Sequence, residues 1–345
     1  MLRVLIVKLS SMGDLIHALP AVTDASKRIP NIRFDWVVDE GFADIPSGHP
    51  AVDRIIKSAH RRWRKNMWQT LKNGEVLKFI KTLRTHTYDY IIDVQANHKS
   101  AAVTRLARGV RCGYDRANVR EKGLVHFAYG RHFAISKKEH AITRMRKLFA
   151  QALNYSFDMN EVDYGFQASA FSNSVFDVPE KSLIFVHNTS WSSKSWPQSH
   201  WRALIDMAAS AGYNILLTWG NAAEKRQAEQ IAAKNARAIV LPDLRIAEFI
   251  PVAAQVKGAV CMDTGFGHII AALKIPAVTL FGPSDPELVG AHGPTQVNLA
   301  AKSCQCFRRT ICHDNQTPRS ISTCLAAIKP ELVWQKLSGL LKPNK

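Results

Sequence analysis

In the stretch VKLSSMGDLIHALPAV, which begins at Val7, an apolar run ends at Leu9, and Ser10, Ser11, Met12, Gly13 and Asp14 intervene before apolar residues resume at helical spacing. A strand that hands over to a helix through small residues is a common phosphate-binding turn, because backbone N–H groups and the positive end of the helix face the anion. A carboxylate at that turn repels phosphate. Asp14 is suited to two other tasks: capping the following helix, or accepting a proton from an incoming hydroxyl. The turn holds one glycine where a dinucleotide fold would place G-x-G-x-x-G, which argues against a nicotinamide enzyme.

Three further groups of residues could do chemistry. The stretch HRRWRKNMW starts at His60, and residues 57–65 carry five Lys or Arg with no acid among them. It reads either as a solvated charge run or, with Trp63 and Trp68 interleaved, as a clamp in which Arg61, Arg62, Arg64 and Lys65 meet phosphate or carboxylate oxygens. Lys8, Lys99, Arg120 and Arg144 extend the same field. In HNTSWSSKSWP, which starts at His187, Thr189, Ser190 and Lys194 offer short donors and a flexible ammonium to a diphosphate, or form an ordinary polar loop before a helix. In CMDTGFGHIIAAL (261–273), Asp263, Thr264 and Gly265 lead into a helix with His268 on its first turn. Glu224, after TWGNAA, fits a ribose hydroxyl pair or a helix start.

The elements that must position these residues form two series of short apolar runs alternating with amphipathic stretches, the pattern of strands and helices wound into parallel sheets. The first series predicts strands at 3–9, 33–38, 54–59 and 88–96, with helices at 15–28, 75–85 and 99–108. The second predicts strands at 183–189, 213–219, 238–242, 258–263 and 277–282, with helices at 199–211, 222–235, 245–255 and 266–273. Pro179 marks the expected boundary, and Pro330 opens a terminal helix. Two open α/β domains, 1–170 and 180–325, would leave a cleft facing the carboxyl ends of both sheets, where ligands of such sheets bind.

With 345 residues, 46% of them hydrophobic, the chain is long enough for two ordinary cores. Its formal charge of +18 points to an anionic partner: nucleic acid, a membrane surface or a phosphorylated substrate. Residues 1–165 hold 28 Lys and Arg against 16 Asp and Glu, and the remainder holds 18 against 12, so the excess lies toward the N-terminal half. No run of about 18 apolar residues is present, and MLRVLIVKLSS is too short and strand-like for a secretory signal, so a cytoplasmic protein is expected. Four cysteines, Cys304, Cys306, Cys312 and Cys324, are spaced C-x-C-x5-C-x11-C, which fits no standard zinc finger. Reduced thiols are the default in that compartment.

Taken together, VLIVKLSSMGDLIHALPAVTDA, FDWVVDEGFADIP, RRWRK, HWRALI, DTGFGHIIAAL and LFGPSDP resemble the heptosyltransferases of lipopolysaccharide core assembly, most closely the type that adds the first heptose to Kdo-bearing lipid A. The likeness covers nearly the whole chain. It implies a GT-B architecture, an α/β fold of two Rossmann-like domains whose parallel sheets face a central cleft, with residues 330–343 crossing back to the first domain. It implies Asp14 as the base and an inverting displacement without cofactor or metal. ADP-L-glycero-D-manno-heptose would be held by Thr189, Ser190, Lys194, Trp219, Glu224, Asp263, Thr264, Gly265 and His268. The acceptor would meet Lys8, Ser11, Arg61, Arg62, Arg64, Lys65 and Arg120. Kdo carboxylates and lipid A phosphates explain a basic N-terminal half without nucleic acid, and they place the protein on the cytoplasmic face of the inner membrane. The segment SCQCFRRTICHDNQTPRSISTC departs from the first-heptose type and resembles other members of the family. Two alternatives therefore stand beside the main reading: transfer to another core acceptor, including the second heptose position, and a basic nucleic-acid-binding α/β protein.

Overall fold

The computed structural model describes residues 1–189, 194–301 and 323–342. Ser190, Cys304, Cys306 and Cys312 lie outside the described residues, and of Cys324 only its place in the helix Thr323–Ala326 is described. The chain divides into two compact units, Met1–Ala170 and Phe171–Lys345.

The first unit contains β1 (Leu2–Val7), β2 (Ile32–Asp39), β3 (Val52–Ser58), β4 (Thr87–Asp93), β5 (Arg108–Tyr114) and β6 (Arg131–Phe133), paired in parallel in the order β3-β2-β1-β4-β5-β6. Its central strand is apolar on both faces, and Val4, Leu5, Ile6 and Val7 are fully buried, as a parallel sheet covered on two sides requires. One layer over it is the helix Met12–Arg28. Ser11 is its N-cap, Lys27 and Arg28 complement the dipole of its last turn, and Leu15, Ile16, Leu19 and Val22 face inward. The helix runs through Pro20 and packs against the helix Ala141–Leu153.

The second unit repeats the plan. Its strands are β7 (Ser182–Val186), β8 (Asn214–Leu217), β9 (Ala238–Val240), β10 (Gly258–Met262), β11 (Ala277–Phe281) and β12 (Gln296–Ala300), ordered β12-β11-β10-β7-β8-β9 and all parallel. Leu183, Phe185, Trp196, Trp201, Leu204 and Val260 belong to one core. Each such buried large apolar side chain contributes about 1.5–3 kcal/mol of transfer free energy. The helix Pro330–Leu341 belongs to this unit: Val333 and Leu337 join the core, and a Cβ at Gly258 would stand 2.8 Å from Leu341 Cδ2.

In both sheets strand succession reverses once, between β1 and β4 and between β7 and β10. Ligands of open α/β sheets bind beyond the carboxyl ends of the strands at that point. The residues singled out in the sequence collect there: Asp14 follows β1, Thr189 and Lys194 follow β7, and Asp263 to Gly265 follow β10. Among the described residues no helix is long and apolar enough to cross a membrane.

Candidate functional site

Asp14 lies in the first turn of the helix Met12–Arg28 rather than on the loop before it. Its Oδ2 accepts hydrogen bonds from the backbone N–H and the hydroxyl of Ser11, both at 3.0 Å. The same oxygen stands 3.8 Å from Lys8 Nζ and 3.7 Å from Arg120 Nη1. One carboxylate thus closes the capping box at the helix start and faces two cations. The Asp14 side chain keeps 24% of its surface exposed, whereas Lys8 keeps 2%. Burial works against the charge on Asp14, but Lys8 leads the opposing interactions, followed by the Ser11 N–H, His17 and Arg120, and the carboxyl is held well below the usual carboxylate range. Burial lowers the Lys8 pKa in turn, and Asp14 counters that effect. An acid held so low is a weak proton acceptor until its cations find another partner.

The basic run forms the short helix His60–Lys65. Arg62 is fully engaged: its guanidinium donates to Glu40 at 3.1 and 3.2 Å and to Glu75 at 3.0 and 2.8 Å, and Trp63 Nε1 also donates to Glu75 at 2.9 Å. Arg61 stands 3.6 Å from Asp39 and 5.0 Å over the Phe42 ring. Arg64 and Lys65 are exposed and pair with no described acid. Read as a free clamp, the sequence missed Glu40 and Glu75, which are distant along the chain and close in space. Of the patch, Arg64 and Lys65 are the cations readiest to meet an anion.

At the β7/β10 switch point, Lys194 Nζ lies 2.5 Å from Asp263 Oδ2. Thr264 is the N-cap of the helix Gly265–Ala272, and its Oγ1 is buried without a hydrogen-bond partner among the described residues. His268 is buried on that helix. An ammonium, a hydroxyl and a helix N-terminus are the donor set that a diphosphate requires. After β8, Glu224 Oε2 accepts from Asn188 Nδ2 at 2.6 Å and from the Gly220 N–H at 2.8 Å, while Asn188 Oδ1 accepts from the Thr218 hydroxyl at 3.2 Å. Trp219 Nε1 donates to the Leu241 carbonyl at 2.6 Å, and Lys225 stands 5.4 Å over its ring. Beneath this group His187 is 1% exposed, and burial, partly countered by Glu224, pulls its pKa down to about 4.

Sequence reasoning assigned no role to Asn188, which joins the β7 loop to Glu224, or to Gln95 in the turn after β4. Both fall inside the strands that the sequence predicts, 183–189 and 88–96, and only the observed strand ends at Val186 and Asp93 put them in loops. Among the described residues no group of three or more His, Cys, Asp or Glu is arranged to hold a metal ion.

Two parallel sheets of this order, each with polar residues at its switch point, form the GT-B architecture, and the comparisons give the class of enzyme built on it here. Residues 76–316 match the model of glycosyltransferase family 9, the heptosyltransferases. The chain is 41% identical over 351 residues to lipopolysaccharide heptosyltransferase 1 of Pseudomonas aeruginosa, an alignment that covers 99% of this chain and 98% of the relative. The solved structure of E. coli heptosyltransferase WaaC with ADP superimposes with a TM-score of 0.85 at 39% identity, covering 98% of this chain and 100% of that one. The same enzyme with ADP-2-deoxy-2-fluoro heptose gives a TM-score of 0.83 at 38% identity, with 98% and 99% covered. Lipopolysaccharide heptosyltransferase 2 of Escherichia coli is more distant, 23% identical over 304 residues, which covers 83% of this chain and 84% of that one. The chain belongs to glycosyltransferase family 9.

Proposed function

We infer that the protein moves L-glycero-D-manno-heptose from ADP-heptose to a Kdo hydroxyl of Kdo-bearing lipid A, the first heptose transfer of the lipopolysaccharide inner core. The observation that carries this reading is the near-full-length identity to heptosyltransferase 1, against the far weaker likeness to heptosyltransferase 2. The chemistry of the two switch points agrees with it. ADP is already a competent leaving group, so the reaction needs one base where a glycosidase uses two carboxylates. Asp14 takes the proton of the Kdo hydroxyl as that oxygen attacks the anomeric carbon. The bond to the diphosphate oxygen breaks on the opposite face, and the anomeric configuration inverts.

Lys194, Thr189, Ser190, Thr264 and the helix that opens at Gly265 stabilise the charge that grows on ADP, with Trp219, Glu224, Asp263 and His268 completing the donor site. Lys8, Ser11, Arg120 and the Arg61, Arg62, Arg64 and Lys65 patch receive the acceptor. A Kdo carboxylate that engages Arg120 and Lys8 draws those cations away from Asp14 and raises its basicity when a substrate is present. The basic first unit attracts the anionic membrane that carries this acceptor, each Lys or Arg near the surface contributing about 1 kcal/mol, so the protein acts at the cytoplasmic face of the inner membrane.

The test is a single-turnover assay with ADP-heptose and defined acceptors. ADP release is expected with Kdo-bearing lipid A that lacks heptose. Preference for an acceptor that already carries the first heptose would move the assignment to the second position. Thermal stabilisation by ADP but not by UDP or oligonucleotides is expected, and dominant oligonucleotide binding at physiological salt would contradict the reading.

A further inference from the structure

We propose that Gln95 is a positioning residue for the transfer reaction: from the turn after β4 it holds the backbone loop that carries Asp14, and the same turn holds the backbone of Arg120. The role rests on the reading of Asp14 as the base. The residues that make this hub are buried and belong to no expected substrate contact.

The geometry follows from where two strands stop. Beyond Val7 the chain still pairs on its β2 side, with the Lys8 N–H donating to the Val37 carbonyl at 3.3 Å and the Asp39 N–H donating to the Leu9 carbonyl at 3.0 Å. On the other side β4 ends at Asp93, so no strand carbonyl remains for the next N–H groups of the loop. Backbone donors in a buried position must be satisfied. Gln95 Oε1 supplies the missing acceptor, taking the N–H of Leu9 at 2.6 Å and that of Ser10 at 3.2 Å. The following residue, Ser11, donates from its backbone and its hydroxyl to Asp14. One amide oxygen thus separates β4 from the loop that aims the carboxylate.

Gln95 is itself fixed. It is 4% exposed, and Asp93 Oδ1 accepts the N–H groups of both Gln95 and Ala96 at 2.9 Å. Asp93 is braced through Oδ2 by the Tyr129 hydroxyl at 2.9 Å. Ala96 is held in the left-handed region at φ 54°, a conformation that an L side chain adopts only when its surroundings impose it. In that conformation its carbonyl accepts the N–H of Arg120 at 3.0 Å and of Glu121 at 3.2 Å. The turn from Asp93 to Ala96 therefore grips the Asp14 loop through a side chain and the Arg120 loop through a carbonyl. Asp14 and Arg120, which meet at 3.7 Å, owe their spacing to one turn.

The test compares Gln95→Met, which keeps the volume and removes the acceptor, with Gln95→Glu, which keeps an acceptor oxygen. With ADP-heptose and Kdo-bearing lipid A, Gln95→Met is expected to lower kcat about tenfold or more while ADP affinity stays within about twofold, and Gln95→Glu is expected to recover most of the loss. Coupling separates positioning from a merely structural role. Asp14→Asn should cost about a hundredfold in the wild-type background and less than about tenfold in Gln95→Met, because a misplaced base has less to lose. Hydrogen exchange should accelerate at Leu9 to Ser11 without loosening the rest of the sheet. Unchanged kcat in Gln95→Met, full additivity with Asp14→Asn, or undisturbed exchange at those amides would overturn the proposal. If Gln95→Met does not fold, Tyr129→Phe, which unbraces Asp93, decides by the same exchange and coupling readouts. A wild-type protein that transfers no heptose refutes the functional reading instead, and the exchange pattern still decides the hub.

Discussion

Asn188→Asp gives the donor site a built-in titration. Asn188 Nδ2 donates to Glu224 Oε2 at 2.6 Å, and the substitution replaces that donor with a second carboxylate oxygen while leaving the size of the side chain and its contact with Thr218 unchanged. Two negative charges about 3 Å apart repel by roughly 5 kcal/mol at an effective dielectric of about 20. Glu224 is half-buried, and water reduces this to about 2–3 kcal/mol. One of the two acids is therefore expected to hold its proton up to a pH range above that in which a lone carboxyl ionises. Below that range the protonated member restores a hydrogen bond and the β7 loop keeps its place. Above it the pair separates and the donor site opens. Calorimetric titration with ADP should give a variant-to-wild-type affinity ratio near one at about pH 5.5 and a loss of about tenfold or more at about pH 8.5. The ratio cancels the titration of ADP itself. A ratio that stays near one across the range would refute the place given to Asn188 and Glu224 in donor binding.

Three further outcomes follow from the same geometry. Lys194→Met should weaken ADP-heptose binding about tenfold or more, since it removes the ammonium from the diphosphate site; thermal-shift titration checks it, and unaltered affinity would exclude Lys194 from the donor contacts. In acceptor kinetics, Arg64→Ala and Lys65→Ala should raise KM more than Arg62→Ala, whose guanidinium is already engaged by Glu40 and Glu75; the reverse ranking would contradict this order. His49, 3% exposed, and His187 are both pulled by burial to about 4, below the ordinary histidine value, so between these limits the unfolded chain binds more protons than the folded one. Stability is therefore full above about pH 6.5 and falls as pH drops toward 4, each histidine costing about 2 kcal/mol by pH 5. Urea unfolding at these pH values reads the loss, and His49→Gln should flatten its share.

How much of this was legible depended on whether local pattern or tertiary pairing decided the matter. The buried central strands stand out because a parallel strand covered on both faces is a continuous apolar run, as in RVLIV and GAVCM. The strands β5, β6 and β12 were not anticipated: RGVRCGY and RHF carry arginines or a histidine at partly exposed positions toward one edge of the first sheet, and QVNLA lies half-buried at an edge of the second. The fourth strand was read to residue 96 and ends at Asp93, because that side chain turns back onto the next two N–H groups. The helix Ala141–Leu153 was also missed, its stripe interrupted by Arg144, Arg146 and Lys147, although Arg146 is buried against Asp24 at 2.6 Å. Asp14 and Asp263 stood out as candidates because they lie where strands give way to helices. Their partners Lys8, Arg120 and Lys194 carried the right charge, but only the fold shows which acid each one meets. Glu40 and Glu75, which occupy Arg62, could not be paired with it by any local pattern.

The central claim is that a single ionised carboxylate at the β1/β4 switch point takes the acceptor proton. Its most direct test is single-turnover transfer by Asp14→Asn, which preserves the shape of the side chain and its contact with Ser11 while removing the base. ADP should bind as tightly as to wild type, and the transfer step should slow about a hundredfold or more. Turnover at a tenth of the wild-type rate or faster would contradict the account.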